Sequence, residues 1–275
     1  MTTTTSPITF VTCLAKIYHD DKEPFLHKNV EWRLQHFREI VQHTDMKVCV
    51  YGCSQYAPLL ESLAKEFPDQ VRWMPMEYEK SPLYRLCMDP TSPATLPDRR
   101  HDAKDTVEYM TLMNCKIEFV HDAILQNPWK SEIFAWMDFS MSYLFHNKAS
   151  SFEKVNHAIV AASTHKISPR FILFPGCWDR IPPNNASAIT NNIHWRFCGT
   201  FFIGSLLSLE TFYEKYLKEF PKFLLNQQKL VWEVNFWAWM EANTDCDITW
   251  YASDHNDRLL DFELPLHLLP SNDAV

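Results

Sequence analysis

Short continuous apolar runs alternate along this chain with apolar residues at helical spacing, and the alternation predicts its elements. Residues 8–14 are β-branched and apolar. Val30, Leu34, Phe37 and Val41 then recur as one helix face, and residues 47–51 read as a buried strand stopped by Gly52. Pro58 in a first turn, with Leu59, Leu63 and Phe67 on one side, predicts a second helix, and residues 71–74 a further strand. Prolines and charges break the periodicity over 81–100, which reads as a loop. Asp105 and Glu108 then open a long helix carrying Tyr109, Leu112, Phe119, Val120 and Ile124, ended by Asn127-Pro128. Residues 132–138 are an apolar run ending in a carboxylate, and residues 171–174 repeat the buried-strand pattern after a helix around Phe152, Val155 and Ile159. Strands alternating with helices of crossover length predict an α/β fold, a mixed, mostly parallel Rossmann-like sheet flanked by helices.

Beyond about residue 180 the character changes. Residues 182–192 are a polar loop and 198–204 a strand flanked by its own glycines. Two helices follow, around 212–220 and 224–240, separated by Pro221. No repeat or flexible linker divides the chain, so residues 1–275 are expected to form one domain with two lobes, 1–180 and 181–275.

Composition removes several function classes. The formal charge of −8 argues against a nucleic-acid polymer as partner. The 4 glycines, Gly52, Gly176, Gly199 and Gly204, cannot assemble a phosphate-cradling glycine loop or a nucleophile elbow. The 8 cysteines include no Cys-x-x-Cys pair, which predicts buried free thiols. Residues 1–6 are threonine-rich without a basic or apolar leader pattern, and no apolar stretch approaches the roughly 20 residues of a transmembrane helix, so a soluble, cytoplasmic protein is expected.

Asp138 is the leading candidate for chemistry. Ligands of open α/β sheets bind beyond the carboxyl ends of strands, where a carboxylate ending an apolar run can hold a hard divalent cation; the plainer alternative is a cap of the following turn. Glu233, inside Val231-Trp232-Glu233-Val234-Asn235-Phe236-Trp237, is either a solvated helix-face glutamate or a buried acid suited to proton transfer. His255 lies in Asp254-His255-Asn256-Asp257 after a strand-like run, as a metal or phosphate ligand or as part of an Asx-rich turn. Arg196 precedes a segment in which Gly199 permits close backbone approach to a ligand. Lys116 interrupts an apolar face and either reaches a phosphate or snorkels to solvent. Cys177 has no histidine at a spacing that makes a nucleophile pair, and reads as structural.

Taken in order, Ile8-Thr9-Phe10-Val11-Thr12, Met113-Asn114-Cys115-Lys116, Asn127-Pro128, Phe134-Ala135-Trp136-Met137-Asp138 and Phe197-Cys198-Gly199-Thr200-Phe201-Phe202-Ile203-Gly204 resemble the HtrL/YibB family over roughly residues 8–255. That family is regarded as glycosyltransferase-like with a GT-A fold. The resemblance implies transfer of a hexosyl or pentosyl group from a nucleoside diphosphate sugar to a glycan hydroxyl, assisted by Mn2+ or Mg2+. The donor would sit on the 1–180 side and the acceptor on the 181–275 side. Thr12, with the segment after it at the nucleotide base, Lys116, Asp138, Arg196 and Gly199 would line the donor, and Glu233 would face the acceptor, taking its proton if the enzyme inverts configuration or orienting acceptor or donor if it retains it. Asp138, Ser140 and His255 would hold the metal. The usual Asp-x-Asp motif reads Asp138-Phe139-Ser140 here, which leaves metal-independent transfer open. Competing classes are a metal-dependent phosphohydrolase, which would use Asp138 and His255, and a non-catalytic carbohydrate-binding protein using some of the 10 tryptophans and 10 tyrosines as stacking platforms.

Overall fold

The computed structural model describes residues 6–17, 28–77, 80–183, 185 and 187–267. Residues 1–5 of the threonine-rich start, and most of the segment after Thr12 expected to meet the nucleotide base, lie outside them. In chain order the elements are β1 (Ile8–Leu14), α1 (Val30–Gln42), β2 (Lys47–Gly52), α2 (Ala57–Glu66), β3 (Val71–Pro75), α3 (Pro82–Cys87), α4 (Val107–Asn114), α5 (Lys116–Gln126) and β4 (Ile133–Met137). They continue with α6 (Lys148–Thr164), β5 (Ile172–Gly176), α7 (Ser187–Thr190), β6 (Phe201–Ser205), α8 (Leu206–Gln227), α9 (Glu233–Asn243) and β7 (Thr249–Ala252).

The seven strands form one sheet in the order β3-β2-β1-β4-β6-β5-β7. All neighbours run parallel except β6, which is antiparallel to both β4 and β5. The mixed, mostly parallel sheet expected from the sequence is therefore present, and the runs at 47–51, 132–138 and 171–174 all belong to it.

Successive side chains of a strand point to opposite faces, and two apolar cores divide accordingly. Val11, Cys49, Tyr51, Phe134, Trp136, Phe174 and Phe202 face α4, α5, α8 and α9. Phe10, Val48, Val50, Ala135, Met137, Leu173 and Phe201 face α1, α2 and α6. Burial on both faces is why these strands read as continuous apolar runs. It also accounts for most of the aromatic content, since Trp129, Trp136, Trp232 and Trp237 are all buried.

The structure corrects the reading of several helices. A short helix, α3, forms within the proline-rich 81–100 stretch, with Ser81 accepting from Tyr84 N at its start and Leu83 anchored in the core. The long helix expected after Asp105 is broken at Cys115 into α4 and α5. There the Asn114 amide donates to Met110 O and to Val231 O, 2.7 and 2.9 Å away, joining the break to the segment before α9. Pro221 does not divide two helices but lies inside α8. A proline mid-helix costs about 3 kcal/mol, and here its ring lies on the exposed side of α8. Phe220, Phe223 and Leu224, buried on either side of it, hold the helix together. Among the described residues no helix is long and apolar enough to cross a membrane.

Candidate functional site

The chain builds β1, β2 and β3 outward in one direction and then places β4 on the other side of β1. Such reversals open a crevice at the carboxyl ends of the two central strands. A cavity of about 360 Å³ lies there, reached by Cys13 from β1, Trp136 and Asp138 from β4, and Gly199 and Thr200 ahead of β6. Asp138 is fixed at this edge by its backbone, whose N–H donates to Thr200 O at 2.9 Å.

At the cavity floor lies Lys116, the first residue of α5, with a side chain only 2% exposed. Its ammonium has three donors and three partners: Gly199 O at 2.8 Å, Glu233 Oε1 at 2.9 Å and Asp138 Oδ1 at 3.0 Å. Burial by itself would lower the Lys116 pKa. The charges of Asp138 and Glu233, with hydrogen bonds to both, outweigh burial and hold the pKa above its ordinary value. A cation at the start of a helix opposes the helix dipole, so α5 by itself does not favour this placement; the two carboxylates compensate. Lys116 does not snorkel to solvent. It pins together a carboxylate from the end of β4 and another from the start of α9.

Glu233 is the first residue of α9, where an anion complements the dipole. That helix is buried almost all round, including Glu233, Asn235, Trp237 and Glu241, so the solvated helix-face reading of Glu233 does not hold. Gly199 makes the approach possible, because a Cβ at that position would collide with Glu233 Oε1. Asp138 is half-buried. Both of its contacts, from Lys116 and from Trp136 Nε1 at 3.0 Å, fall on Oδ1. Ser140 and His255 line the same cavity as Asp138 despite their sequence separation.

Two predicted donor residues lie elsewhere. Arg196 is buried against Glu241, with Nε to Oε2 at 2.9 Å and Nη2 to Oε1 at 2.7 Å, and stacks on Trp250. A bidentate ion pair satisfies the guanidinium, so it ties the segment before β6 to α9 instead of lining the cavity. Thr12 is fully buried within β1, its hydroxyl without a hydrogen-bond partner among the described residues. Strand alternation gives the cavity its neighbour Cys13, together with Ala15 and Ile17 beyond the strand.

Sequence reasoning missed the opposite wall, where Lys28, Arg33 and Lys104 line the cavity with Trp32 and Tyr143. Lys28 Nζ lies 4.2 Å from the Tyr143 ring centre. Burial, and then the like charges of Arg33 and Lys104, lower its pKa, the signature of a wall that favours an anion. One signal was available. Lys28 and Arg33 bracket the Asn29 cap of α1, so cations sit where a helix start prefers anions, a local violation of the kind that marks functional sites.

Asp138 Oδ2 and the Ser140 hydroxyl are oxygen donors on the cavity, and one carboxylate suffices for Mg2+ or Mn2+ when phosphate and water oxygens complete the shell. Those two residues fit such an ion. His255 is differently placed, because its Nδ1 has Asp254 Oδ1 at 3.4 Å and Cys198 Sγ at 4.0 Å as neighbours.

Residues 74–233 match the model of the HtrL_YibB family, described as a bacterial protein of unknown function. The chain belongs to the HtrL/YibB family. In this family member the matched span contains Lys116, Asp138, Ser140 and Gly199 and ends on Glu233. No curated protein sequence matches the chain. Similar solved structures include a 4-diphosphocytidyl-2C-methyl-D-erythritol synthase from Anaerococcus prevotii DSM 20548, at 9% identity and TM-score 0.44, covering 90% of this chain and 88% of that one. Mouse xyloside xylosyltransferase 1 in its apo form matches at 9% identity and TM-score 0.41, covering 90% and 85%. HddC from Yersinia pseudotuberculosis matches at 10% and 0.34, covering 74% and 79%.

Proposed function

We propose that this HtrL/YibB protein is a glycosyltransferase that moves a sugar from a nucleoside diphosphate donor to a glycan hydroxyl. The observation that carries the reading is the single buried ammonium of Lys116, which orients Asp138 and Glu233 together on the floor of a cavity whose facing wall is cationic and aromatic. Lys28, Arg33 and Lys104 suit a diphosphate, and Trp32 and Tyr143 offer ring faces for a base or sugar. Asp138 and Ser140 would hold a divalent ion, which supplies charge neutralisation to the diphosphate when bound. The donor then lies on the 1–180 lobe, with Glu233 reaching in from the 181–275 lobe.

In this arrangement Glu233 takes the proton of the acceptor hydroxyl as that oxygen attacks the anomeric carbon, and the electron pair of the breaking bond leaves with the diphosphate. Lys116 is a positioning residue here. With Oε1 held by the ammonium, the second oxygen of Glu233 is the one that receives the proton. The basic wall acts where negative charge develops on the leaving group.

Thermal-shift titration with nucleoside diphosphate sugars, with and without manganese, tests donor class and metal dependence together, since a ligand of the folded state raises the melting temperature. A donor that stabilises the wild type, stabilises less with manganese in Asp138→Asn, and transfers to an acceptor is the expected result. Sugar binding without any nucleotide effect would select the carbohydrate-binding alternative. Donor hydrolysis indifferent to acceptor would select the phosphohydrolase.

A further inference from the structure

Three neighbouring strand ends bring together residues with no recognisable spacing in the chain. Cys177 follows β5, Cys198 precedes β6, and Asp254 and His255 follow β7. Because β5 and β7 are parallel to each other and β6 runs opposite, the carboxyl ends of the first two and the amino end of the third share one edge of the sheet. The backbone ties them closely: Cys177 N donates to Trp195 O at 3.0 Å, Cys198 N to Pro175 O at 2.7 Å, and Ser253 N to Gly176 O at 2.8 Å. Gly176 permits this crossing, because a Cβ there would run into Arg196 O and the Trp250 indole.

The side chains converge further than the backbone requires. Cys177 Sγ lies 3.6 Å from Cys198 Sγ and 3.7 Å from Asp254 Oδ1, Cys198 Sγ lies 4.0 Å from His255 Nδ1, and His255 Nδ1 lies 3.4 Å from Asp254 Oδ1. The donor atoms of Cys177, Cys198 and His255 all fall within 4.8 Å of one another. A tetrahedral zinc with bonds of about 2.3 Å to sulfur and about 2.0–2.1 Å to nitrogen or oxygen has ligand-to-ligand edges of about 3.3 to 3.8 Å. The Sγ–Sγ and Sγ–Nδ1 separations of 3.6 and 4.0 Å match edges of that shell to within a few tenths of an ångström, while Asp254 Oδ1 lies beside Cys177 and His255 and outside the group of three. The His255 ring is further oriented by Trp195, edge to face at 4.4 Å.

We propose that Cys177, Cys198 and His255 form a zinc site that clasps the ends of β5, β6 and β7 at the rim of the cavity, with the Asp254 carboxylate beside Cys177 and His255. A pair of thiolates selects zinc over the hard magnesium or manganese suited to Asp138 and Ser140. On binding, Zn2+ displaces the two thiol protons to solvent, so the ion with two thiolates and a neutral imidazole carries no net charge. Three protein ligands from three strand ends hold the strands to one another, with the fourth position left to water or to the neighbouring Asp254 carboxylate. The site stands independently of the donor proposed above. It also explains why Cys177 reads from sequence as an isolated thiol: its partners come from other strands.

The test uses the full chain purified under reducing conditions from zinc-supplemented medium, with metal measured by inductively coupled plasma mass spectrometry after gel filtration. About one zinc per chain is expected, and Co2+ added to the stripped protein should give the thiolate-to-cobalt absorption and visible bands of a tetrahedral site. Cys177→Ser is the informative variant, since Cys177 is only partly buried and circular dichroism can verify that the variant folds. It should abolish zinc retention and the cobalt absorption, and Asp254→Asn should weaken both. Asp138→Asn should leave them intact. Reduced, folded protein that takes up neither metal would overturn the proposal, as would zinc retained in full by Cys177→Ser. A protein that rejects zinc in reductant and joins Cys177 to Cys198 as a disulfide on oxidation would replace it with a redox pair.

Discussion

Helix α9 carries a buried carboxylate near each end, and the two have opposite surroundings. Glu241 meets Arg196 in a bidentate pair, one charge against one, with Nη1 donating to Trp178 O and both side chains buried. Glu233 shares one ammonium with Asp138, so two negative charges face one positive charge at a cavity floor. The first arrangement is electrically complete and sealed. The second leaves one carboxylate charge unmatched by Lys116 and open to the cavity, where the divalent ion proposed above would bind. Burial of charge therefore does not by itself distinguish a site from a strut; the imbalance of the count and access to a cavity do.

The comparison predicts that Lys116→Met has the largest effect, because it harms both stability and chemistry. Leaving two carboxylates without their shared cation should cost about 3–5 kcal/mol in urea unfolding, and transfer in whatever folds should drop by about 10³-fold. A stable, active Lys116→Met would erase the distinction drawn between the two carboxylates. Next comes Arg196→Ala, expected to cost a similar 3–5 kcal/mol of stability while donor affinity of the folded protein stays unchanged by calorimetric titration. Weakened donor binding there would return Arg196 to the cavity wall.

Glu233→Gln should keep donor affinity and lose roughly 10²-fold in turnover, since a proton acceptor contributes mainly to the transition state. Full turnover in this variant would move the proton-transfer role elsewhere on the floor. Gly199→Ala should be milder, about 1–3 kcal/mol of destabilisation by overpacking against the Glu233 carboxylate, with turnover reduced through displacement of that group. The smallest effect concerns pH. The stabilising contribution of Lys116, whose folded pKa is raised, is complete below the unfolded lysine value of about 10.4 and fades only as pH rises through the higher folded value. The stability difference between wild type and Lys116→Met should therefore be flat between neutrality and about pH 10. A difference that shrinks within that range would show that Lys116 titrates early.

Periodicity and burial were legible residue by residue. The runs at 8–14, 47–51, 132–138 and 171–174 became β1, β2, β4 and β5, because a strand covered on both faces must be apolar throughout, and that requirement is local, while 71–74 became the partly exposed edge strand β3. Asp138 was readable for the same reason: the apolar run stops on it. The extent of α8 was not, since Pro221 argues locally for a break and only Phe220, Phe223 and Leu224 in the core override it.

Pairings between charges belonged to the tertiary structure. Lys116, Asp138 and Glu233 were each visible as polar interruptions, but whether an interruption snorkels, caps or pairs depends on what lies across the fold, here 117 residues away for Lys116 and Glu233. Arg196 shows the same dependence in the other direction, since its guanidinium faces Glu241 and not a ligand. The reversed β6 likewise decided where Cys198 and Gly199 fall, because an antiparallel strand brings its amino end to the edge where its neighbours end. Sequence alone determined which segments are buried and where a carboxylate ends a strand, both consequences of local spacing. Which charges complete one another, and which thiols meet a histidine, was decided by strand order and direction, because electrostatic and coordination contacts act over a few ångströms in space whatever the separation along the chain.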